Sequence, residues 1–304
     1  MSTFSHWSHS LRRTFVKDYD IPVSVVDDPY FEHQIRFLDR QYKTFEKVKL
    51  LEDSLAKYGS EDEFFIAMKK TRETIIDHIK GHPDYENFGS FGSILVPDSK
   101  ERKTMQKSIY KVDFCDRDMI SIDLVKANFQ SYVQFLPDAI NNKGSYEEFV
   151  QDFTDDEYFI RSKKIRQVIF GNLNPKKQMN IAQHMMWAMK HKINIYSTDF
   201  FALSADELVF ELNDCYSFQG LVDYVDQIPE NVRIQQFQIE KVPVKTSNIF
   251  VKRFPDGTFK LKCCPGNYVI EVLRHIYGET IHPWDVVFYN DGRLCEYKDS
   301  LFDK

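Results

Sequence analysis

The sequence predicts an α+β fold, with a helical N-terminal part, a central sheet covered by helices and a β-rich C-terminal part. Apolar residues recur three or four positions apart over residues 31–79, which is typical of amphipathic helices. Short apolar or alternating segments follow between residues 108 and 212 and indicate strands. Asp256-Gly257 and Asp291-Gly292 each lie between two strand-like segments and favour β-hairpins. We therefore divide the chain into residues 1–107, 108–228 and 229–304.

The first region is predicted to contain two long antiparallel helices. One apolar stripe runs through residues 31–55, and Gly59 is placed to cap this helix in the left-handed conformation. Ser60 and Glu63 form a capping-box pattern that begins a second helix, which continues to residue 79. Residues 87–93 are rich in Gly and Ser and predict a turn. The alternative, a phosphate-cradling loop, lacks the usual Lys-Ser/Thr pair.

The second and third regions alternate between strands and helices. Strands are predicted from apolar or alternating segments at 108–114, 119–124, 193–196, 208–212, 232–242, 250–254, 258–262, 286–289 and 294–297. Helices are predicted from near Lys126 onward and at 146–153, 162–170, 178–189, 217–225 and 268–277. Asn174-Pro175 is expected to end the helix at 162–170.

Composition favours a folded, intracellular protein. The chain has 304 residues with 42% apolar content and 26 Phe, which is enough to fill a sizeable core. Five cysteines without zinc-site spacing indicate a reducing, cytoplasmic compartment. We expect no signal peptide and no membrane span, because no apolar run is long enough. The net charge of −6 does not favour a protein coated in nucleic acid, but it allows binding in a local basic groove.

Two acidic residues lie beside apolar segments that read as buried strands. Asp123 follows Ile122 near the end of one predicted strand, and Asp206 immediately precedes another. A lone ionised Asp in such a place costs several kcal/mol unless it has a partner. Two such carboxylates brought together by folding could bind a divalent cation for phosphate chemistry, with Glu207 as a lesser third ligand. The alternative role of Asp123 is to cap the helix that follows it.

Three motifs in this part of the chain resemble family A DNA polymerases. Residues 205–212, Ala-Asp-Glu-Leu-Val-Phe-Glu-Leu, resemble the third palm motif, in which His-Asp-Glu is followed by apolar residues. Residues 166–173 resemble the central fingers helix, with a basic residue followed by Phe-Gly. Residues 122–128 resemble the first palm motif, and the three motifs stand in the family's order. The resemblance implies a palm-like antiparallel sheet with short fingers-like helices in residues 108–228.

The resemblance also implies a function and a set of site residues. The chain would be a metal-dependent nucleotidyltransferase, namely a compact polymerase that takes a nucleoside triphosphate and nucleic acid in viral or mobile-element replication. Asp123 and Asp206 would bind Mg²⁺ or Mn²⁺, with Glu207 as the third catalytic carboxylate. The nucleotide-binding residues would be Lys163, Lys164, Arg166, Gln167 and Asn128, the last at the position that selects the sugar. The alternative for the basic residues is a solvated helix face.

The motifs also depart from the family pattern. Ala205 replaces the usual His, Ser162 replaces an Arg, and Asn174-Pro175 replaces Tyr-Gly. The spacing from Arg166 to Asp206 leaves no room for full-sized fingers. A second hypothesis is therefore a non-catalytic protein with the same fold. It would bind nucleic acid or a replication partner through its N-terminal helices or through clusters of Lys and Arg, which lie at 100–107, 161–166, 176–177, 190–192 and 252–262. A third is a regulatory or structural protein whose motif matches arise by chance.

Overall fold

The α+β prediction is confirmed by a computed structural model of the chain. The structure describes residues 4–90, 108–193, 200–204, 206–212, 218–225, 231–244, 247–297 and 301–302. Helices dominate the N-terminal part, and an antiparallel sheet of six strands lies in the remainder, with more strands toward the C-terminus. No helix in these described ranges has both the length and the apolar character needed to cross a bilayer.

The N-terminal helices are α1 (His9–Asp18), α2 (Tyr30–Tyr42), α3 (Thr44–Tyr58), α4 (Glu61–Lys80) and α5 (Tyr85–Ser90). The single long helix predicted over 31–55 is wrong, because the chain breaks at Lys43, which adopts the left-handed conformation with φ of 49°. Gly59 does cap α3, and the Ser60 hydroxyl accepts the Glu63 N–H at the start of α4. The turn predicted at 87–93 is instead helical as far as Ser90, and its remainder lies outside the described residues.

Seven further helices cover the sheet or follow it within the described residues. They are α6 (Ala127–Phe135), α7 (Tyr146–Gln151), α8 (Glu157–Arg161), α9 (Lys163–Gly171), α10 (Pro175–Lys192), α11 (Phe218–Val225) and α12 (Val269–Tyr277). The expectation that Asn174-Pro175 only ends a helix is corrected. Asn174 is left-handed, and Pro175 begins α10, because a helix's first turn does not need the N–H that proline lacks.

Six strands form the main sheet in the order β2-β3-β1-β4-β5-β6. They are β1 (Met119–Leu124), β2 (Phe200–Leu203), β3 (Glu207–Glu211), β4 (Val232–Lys241), β5 (Phe250–Arg253) and β6 (Phe259–Lys262). A separate hairpin joins β7 (Val287–Asn290) to β8 (Arg293–Glu296). Both hairpins predicted from Asp-Gly pairs are confirmed. Because β4 pairs with β1, the sheet joins the second and third predicted regions.

Two of the predicted strands, at 108–114 and 193–196, are not observed as strands in the described residues. Residues 108–114 contain a short 3₁₀ helix, Val112–Phe114, in place of a strand. Ile109 and Phe114 are buried there while the residues from 111 to 113 are exposed, so the burial does not alternate. Of the strand predicted at 193–196, Ile193 instead caps the end of α10, and residues 194–196 lie outside the described residues.

The sheet has an apolar layer on each face. Ile120, Ile122 and Leu124 of β1 belong to a large core shared with the helices. Met119 of β1 packs instead in a smaller cluster on the other face, with Phe237 and Phe114. Since side chains alternate along a strand, Ser121 and Asp123 share that second face with Met119. Asp123 therefore lies at the end of a buried strand, on the face opposite the main helical layer.

Candidate active site at the end of strand β1

Folding brings Asp123 and Asp206 to the same end of two neighbouring strands. Asp123 is directly opposite Glu207 in the β1–β3 register. The Leu124 N–H donates to the Asp206 carbonyl oxygen over 2.8 Å, so the turn that carries Asp206 is fixed against the end of β1. The Ser204 hydroxyl shapes this turn, since its oxygen accepts the Glu207 N–H at 3.0 Å. The prediction that these two carboxylates approach each other is therefore supported at the level of the backbone.

The two aspartates line a cleft of about 530 Å³ between the sheet end and helices α9 and α10. Six of the eight predicted site residues line it: Asp123, Asn128, Lys163, Arg166, Gln167 and Asp206. The spacing of Lys163, Arg166 and Gln167 places them on one face of α9. Lys164 lies about 100° around the same helix, is exposed and does not line the cleft. Glu207 does not line it either.

Hydrogen bonds fix α9 and its junction with α10 against the cleft. The Ser162 hydroxyl caps α9 by accepting the Ile165 N–H at 3.1 Å. At the other end, the Gln178 amide donates to the Phe170 carbonyl oxygen at 2.9 Å and also to that of Leu173. The Tyr132 hydroxyl donates to the same Leu173 carbonyl oxygen at 2.8 Å. The helix that presents the basic residues is thus anchored at both ends.

Asp123 has a crowded electrostatic environment. Burial raises the pKa of its carboxyl, the guanidinium of Arg233 opposes that change, and the nearby Glu207 and Asp206 raise the pKa further. The net pKa stays above its ordinary value even though Arg233 forms an ion pair with Asp123. The alternative role for Asp123 as a helix cap is wrong, because α6 follows a left-handed Lys126 and has no side-chain cap. Asp123 is therefore flanked by one cation, Arg233, and by two further carboxylates, Glu207 and Asp206.

Glu207 has a different partner. Its carboxylate accepts a hydrogen bond from the Lys252 ammonium at 3.1 Å, and Lys252 also donates to the Ser121 hydroxyl at 3.1 Å. The Lys252 ammonium lies 3.9 Å from the centre of the Phe237 ring. This arrangement directs Glu207 along the face of the sheet toward β5, away from the cleft.

The basic wall of the cleft is only partly neutralised. Lys163 forms an ion pair with Asp20 at 2.8 Å. The Arg166 guanidinium lies 5.6 Å from the Tyr146 ring centre, and its Nε is buried without a hydrogen bond to any described residue. Burial lowers the pKa of Arg166, while Tyr146 and Glu147 oppose that shift. An anion bound in the cleft would supply a hydrogen-bond acceptor and a negative charge for the Arg166 guanidinium.

The donor set of the cleft fits a hard divalent cation. Its acidic side chains are the carboxylates of Asp123 and Asp206. Within the described ranges, no group of three or more His, Cys, Asp or Glu side chains is arranged to hold a metal. Mg²⁺ sites in enzymes that act on nucleotides commonly use one or two carboxylates together with substrate phosphates and water. Asp123 and Asp206 therefore fit Mg²⁺ or Mn²⁺ if the substrate itself supplies oxygen ligands.

Sequence reasoning missed several residues that shape this site. Lys126 lines the cleft and forms an ion pair with Glu147. Its position between Asp123 and Asn128 was a usable signal. Arg233 and Lys252 carried no such signal, because their carboxylate partners are 110 and 45 residues away in the sequence and come close only through the arrangement of strands in the sheet.

Comparisons of the chain with protein-family models, with curated proteins and with solved structures gave no match. The resemblance to family A polymerases therefore rests on the three sequence motifs alone.

Proposed function

We propose that this chain is a metal-dependent nucleotidyltransferase, a compact nucleic-acid polymerase whose active site is the cleft at the end of β1. The observation that carries the proposal is the juxtaposition of Asp123 and Asp206 in one cleft with the α9 residues Lys163 and Arg166. Strand, turn and helix come from three separate motifs of the chain. Carboxylates and cationic side chains line one cleft, and this supports the proposal because phosphoryl transfer requires positive charge around the transferred phosphate.

Each cleft residue has a role in this proposal. Asp123 and Asp206 hold the cation, and a bound Mg²⁺ or Mn²⁺ neutralises charge on the transferring phosphoryl group. Lys163 and Arg166 pair with the triphosphate oxygens of the incoming nucleotide. Asn128, on the first turn of α6, and Gln167 also line the cleft and would contact the sugar and the base of a bound nucleotide. Lys164 and Glu207 have no direct role here.

A second candidate function is favoured by a specific observation. Asp123 pairs with Arg233 and Glu207 with Lys252, so two acidic residues of the motifs are already balanced by the protein's own cations. This balance suits a non-catalytic protein that kept the fold and binds nucleic acid or a replication partner. Phe45 and Ile66 on α3 and α4 are exposed apolar side chains that such a partner could cover.

Nucleotide incorporation tests the first proposal. Purified protein is given labelled nucleoside triphosphates, primer-templates or single strands, and Mg²⁺ or Mn²⁺, and extension products are resolved on gels. We expect incorporation that requires the divalent cation and is abolished by Asp206→Asn. Asp118→Asn is the matched control. This residue is an exposed aspartate at the opposite end of β1, and its replacement should leave incorporation unchanged.

The two candidate functions give different results in the same experiments. The binding protein is expected to retain salt-sensitive affinity for nucleic acid, to incorporate nothing, and to be indifferent to Asp206→Asn. If incorporation by Asp206→Asn equals that of the wild type while the variant melts normally, the proposed active site is wrong.

We also infer that the protein works in a reducing, intracellular compartment, as a replication enzyme of a virus or mobile element would. The cysteines within the described residues, Cys115, Cys263, Cys264 and Cys295, are all free thiols, which supports this inference. The stretch that carries α9 and α10 is too short for full-sized fingers, which supports a compact polymerase.

A further inference from the structure

A second groove, of about 850 Å³, lies between strand β6 and the junction of helices α2 and α3. Because β6 is the last strand of the main sheet, the groove lies at the edge of that sheet, where the Gln41 amide donates to the Phe259 carbonyl oxygen at 2.6 Å. Its charged lining consists of Arg40, Lys43, Lys163, Lys260, Lys262 and the single carboxylate of Asp20. Five cations and one anion therefore face a groove in a chain whose net charge is −6.

The positive charge of this groove is only partly balanced by the protein. Lys163 pairs with Asp20 at 2.8 Å, and Arg40 pairs with Glu279 at 3.4 Å. Lys43 approaches Glu46 only at 3.9 Å, and both side chains are exposed. Lys260 and Lys262 form no ion pair with any carboxylate in the described part of the chain, although Asp123 and Glu207 act on Lys260 at longer range. Local uncompensated charge of this kind attracts a polyanion whatever the overall charge of the protein.

Aromatic rings lie among these cations. Tyr42 and Phe254, which are partly exposed, line the groove beside the buried Phe259. The Lys260 ammonium lies 5.5 Å from the Phe254 ring centre, and that of Lys262 lies 5.5 Å from the Tyr110 ring centre. A basic groove with interspersed aromatic rings suits single-stranded nucleic acid, because phosphates pair with the cations while unpaired bases stack on the rings. A duplex keeps its bases stacked internally and gains nothing from the rings.

The groove is connected to the candidate active site. Lys163 lines both the groove and the cleft that contains Asp123 and Asp206. We propose that the groove binds a single strand of nucleic acid and leads it past Lys163 into the cleft. The binding itself is independent of the chemistry, but its purpose, to deliver a template or primer strand, rests on the proposed function.

Paired lysine replacements test the proposal. Lys260→Ala combined with Lys262→Ala removes two cations from the groove wall. Lys69→Ala combined with Lys70→Ala removes two exposed lysines from α4 and serves as the matched control. Affinity for a fluorescent oligothymidylate is measured by anisotropy over a range of salt concentrations. We expect the groove variant to bind roughly tenfold more weakly at low salt, since it loses two phosphate contacts. The slope of log affinity against log salt should fall by about 1.4.

A second variant acts on the opposite wall of the groove. Lys43→Asn removes a cation and keeps a residue that tolerates the left-handed backbone there, so this variant is expected to fold even if the β6 variant does not. It too should weaken binding of the oligonucleotide, while thermal melting of each variant checks its fold.

The outcomes separate the two proposals. If a folded groove variant binds the oligonucleotide as tightly as the control does, the groove inference is wrong, whether or not the wild type incorporates nucleotides. Equal competition by polyglutamate would also overturn it, because the groove would then attract any polyanion. If wild type and Asp206→Asn both bind through the groove and neither extends a primer, the groove inference stands and the proposed enzyme activity fails.

Discussion

At the scale of single residues, Lys252 forms a buried ion pair beside the candidate active site. Its side chain is only 5% exposed, and the carboxylate of Glu207 is its one ion-pair partner among the described residues. Burial lowers the pKa of Lys252, and Glu207 opposes that shift. The pair is formed between β3 and β5, which are not neighbours in the sheet, so it spans β1 and β4. Each charge is therefore tolerated because the other is present.

Removing only one of these charges is expected to destabilise the fold. Lys252→Met keeps the length of the side chain but leaves Glu207 without its cation, and we expect a loss of about 2 kcal/mol in the free energy of unfolding. Combining it with Glu207→Gln should restore much of the loss. Urea denaturation of both single variants and the double variant gives the coupling energy. Lys241→Met, at an exposed site on β4, should change stability by less than about 0.5 kcal/mol. Additive effects of Lys252→Met and Glu207→Gln would show that the pair contributes nothing.

Some residues of the candidate site could be predicted from the sequence, and others could not. Asp123, Asp206, Arg166 and Asn128 were predictable because each lies within a local motif whose strand or helix is itself predictable. Arg233 was not, since its pairing with Asp123 depends on the register of β1 against β4, which local sequence does not determine.

At the scale of elements, the position of helix α9 depends on one serine. Ser162 is fully buried, and its hydroxyl caps the helix that presents Lys163, Arg166 and Gln167 to the cleft. Ser60 caps α4 in the same way, by accepting the Glu63 N–H at 3.2 Å, and α4 contributes no residue to the cleft lining. The chain thus offers two serine caps, a buried one beside the candidate site and an exposed one remote from it.

Replacing these two caps should separate stability from function. Ser162→Ala and Ser60→Ala are each expected to lower the free energy of unfolding by about 1 kcal/mol, since each leaves a helix N–H without its acceptor. Only Ser162→Ala should weaken nucleotide use, as a rise in KM for the incoming triphosphate, because α9 loses its fixed start. Denaturation and steady-state incorporation assays measure the two effects. An equal KM in both variants would show that α9 does not position the nucleotide.

The elements that sequence patterns missed have identifiable physical causes. The break between α2 and α3 lies inside a continuous apolar stripe, so periodicity could not reveal it. It is fixed instead by side chains: Asp39 accepts the Phe45 N–H at 2.8 Å, and the Thr44 hydroxyl donates to the Ile35 carbonyl oxygen at 2.8 Å. The segment 108–114 has an alternating pattern, but Phe114 packs under the sheet as part of a 3₁₀ turn. Local hydrogen bonds from side chains overrode the helical pattern in the first segment, and tertiary packing overrode the alternating pattern in the second.

At the scale of the whole molecule, a buried carboxylate is one of the groups that join the N-terminal helices to the C-terminal region. Asp285 accepts hydrogen bonds from His33 of α2 at 2.7 Å and from Arg274 of α12 at 2.9 Å. The His282 N–H donates to the same carboxylate at 2.7 Å. Burial raises the pKa of Asp285, but the bonds from His33, His282 and Arg274 outweigh it, so the pKa is lowered overall. The ionised carboxylate therefore stabilises the contact between distant parts of the chain.

Asp285→Asn is expected to weaken this contact by about 2 kcal/mol at neutral pH, because the amide keeps the shape but lacks the charge that attracts Arg274. The effect depends on pH with a definite sign. Since the folded pKa lies below the ordinary value of 3.8, the stabilisation is complete above that value. It is lost as the pH falls through the lower folded pKa. The difference between wild type and variant should therefore shrink in acid, as measured by guanidinium denaturation over a series of pH values.

Asp291 provides the control for this substitution. Asp291→Asn makes the same chemical change at an exposed hairpin turn, where the backbone is left-handed and Asn is well tolerated, so stability should be nearly unchanged. If the contact unites the molecule, far-ultraviolet circular dichroism and tryptophan fluorescence should report one coincident transition in the wild type. A difference between wild type and Asp285→Asn that stays constant into acid would mean that packing around residue 285, and not its charge, holds the two ends of the chain together.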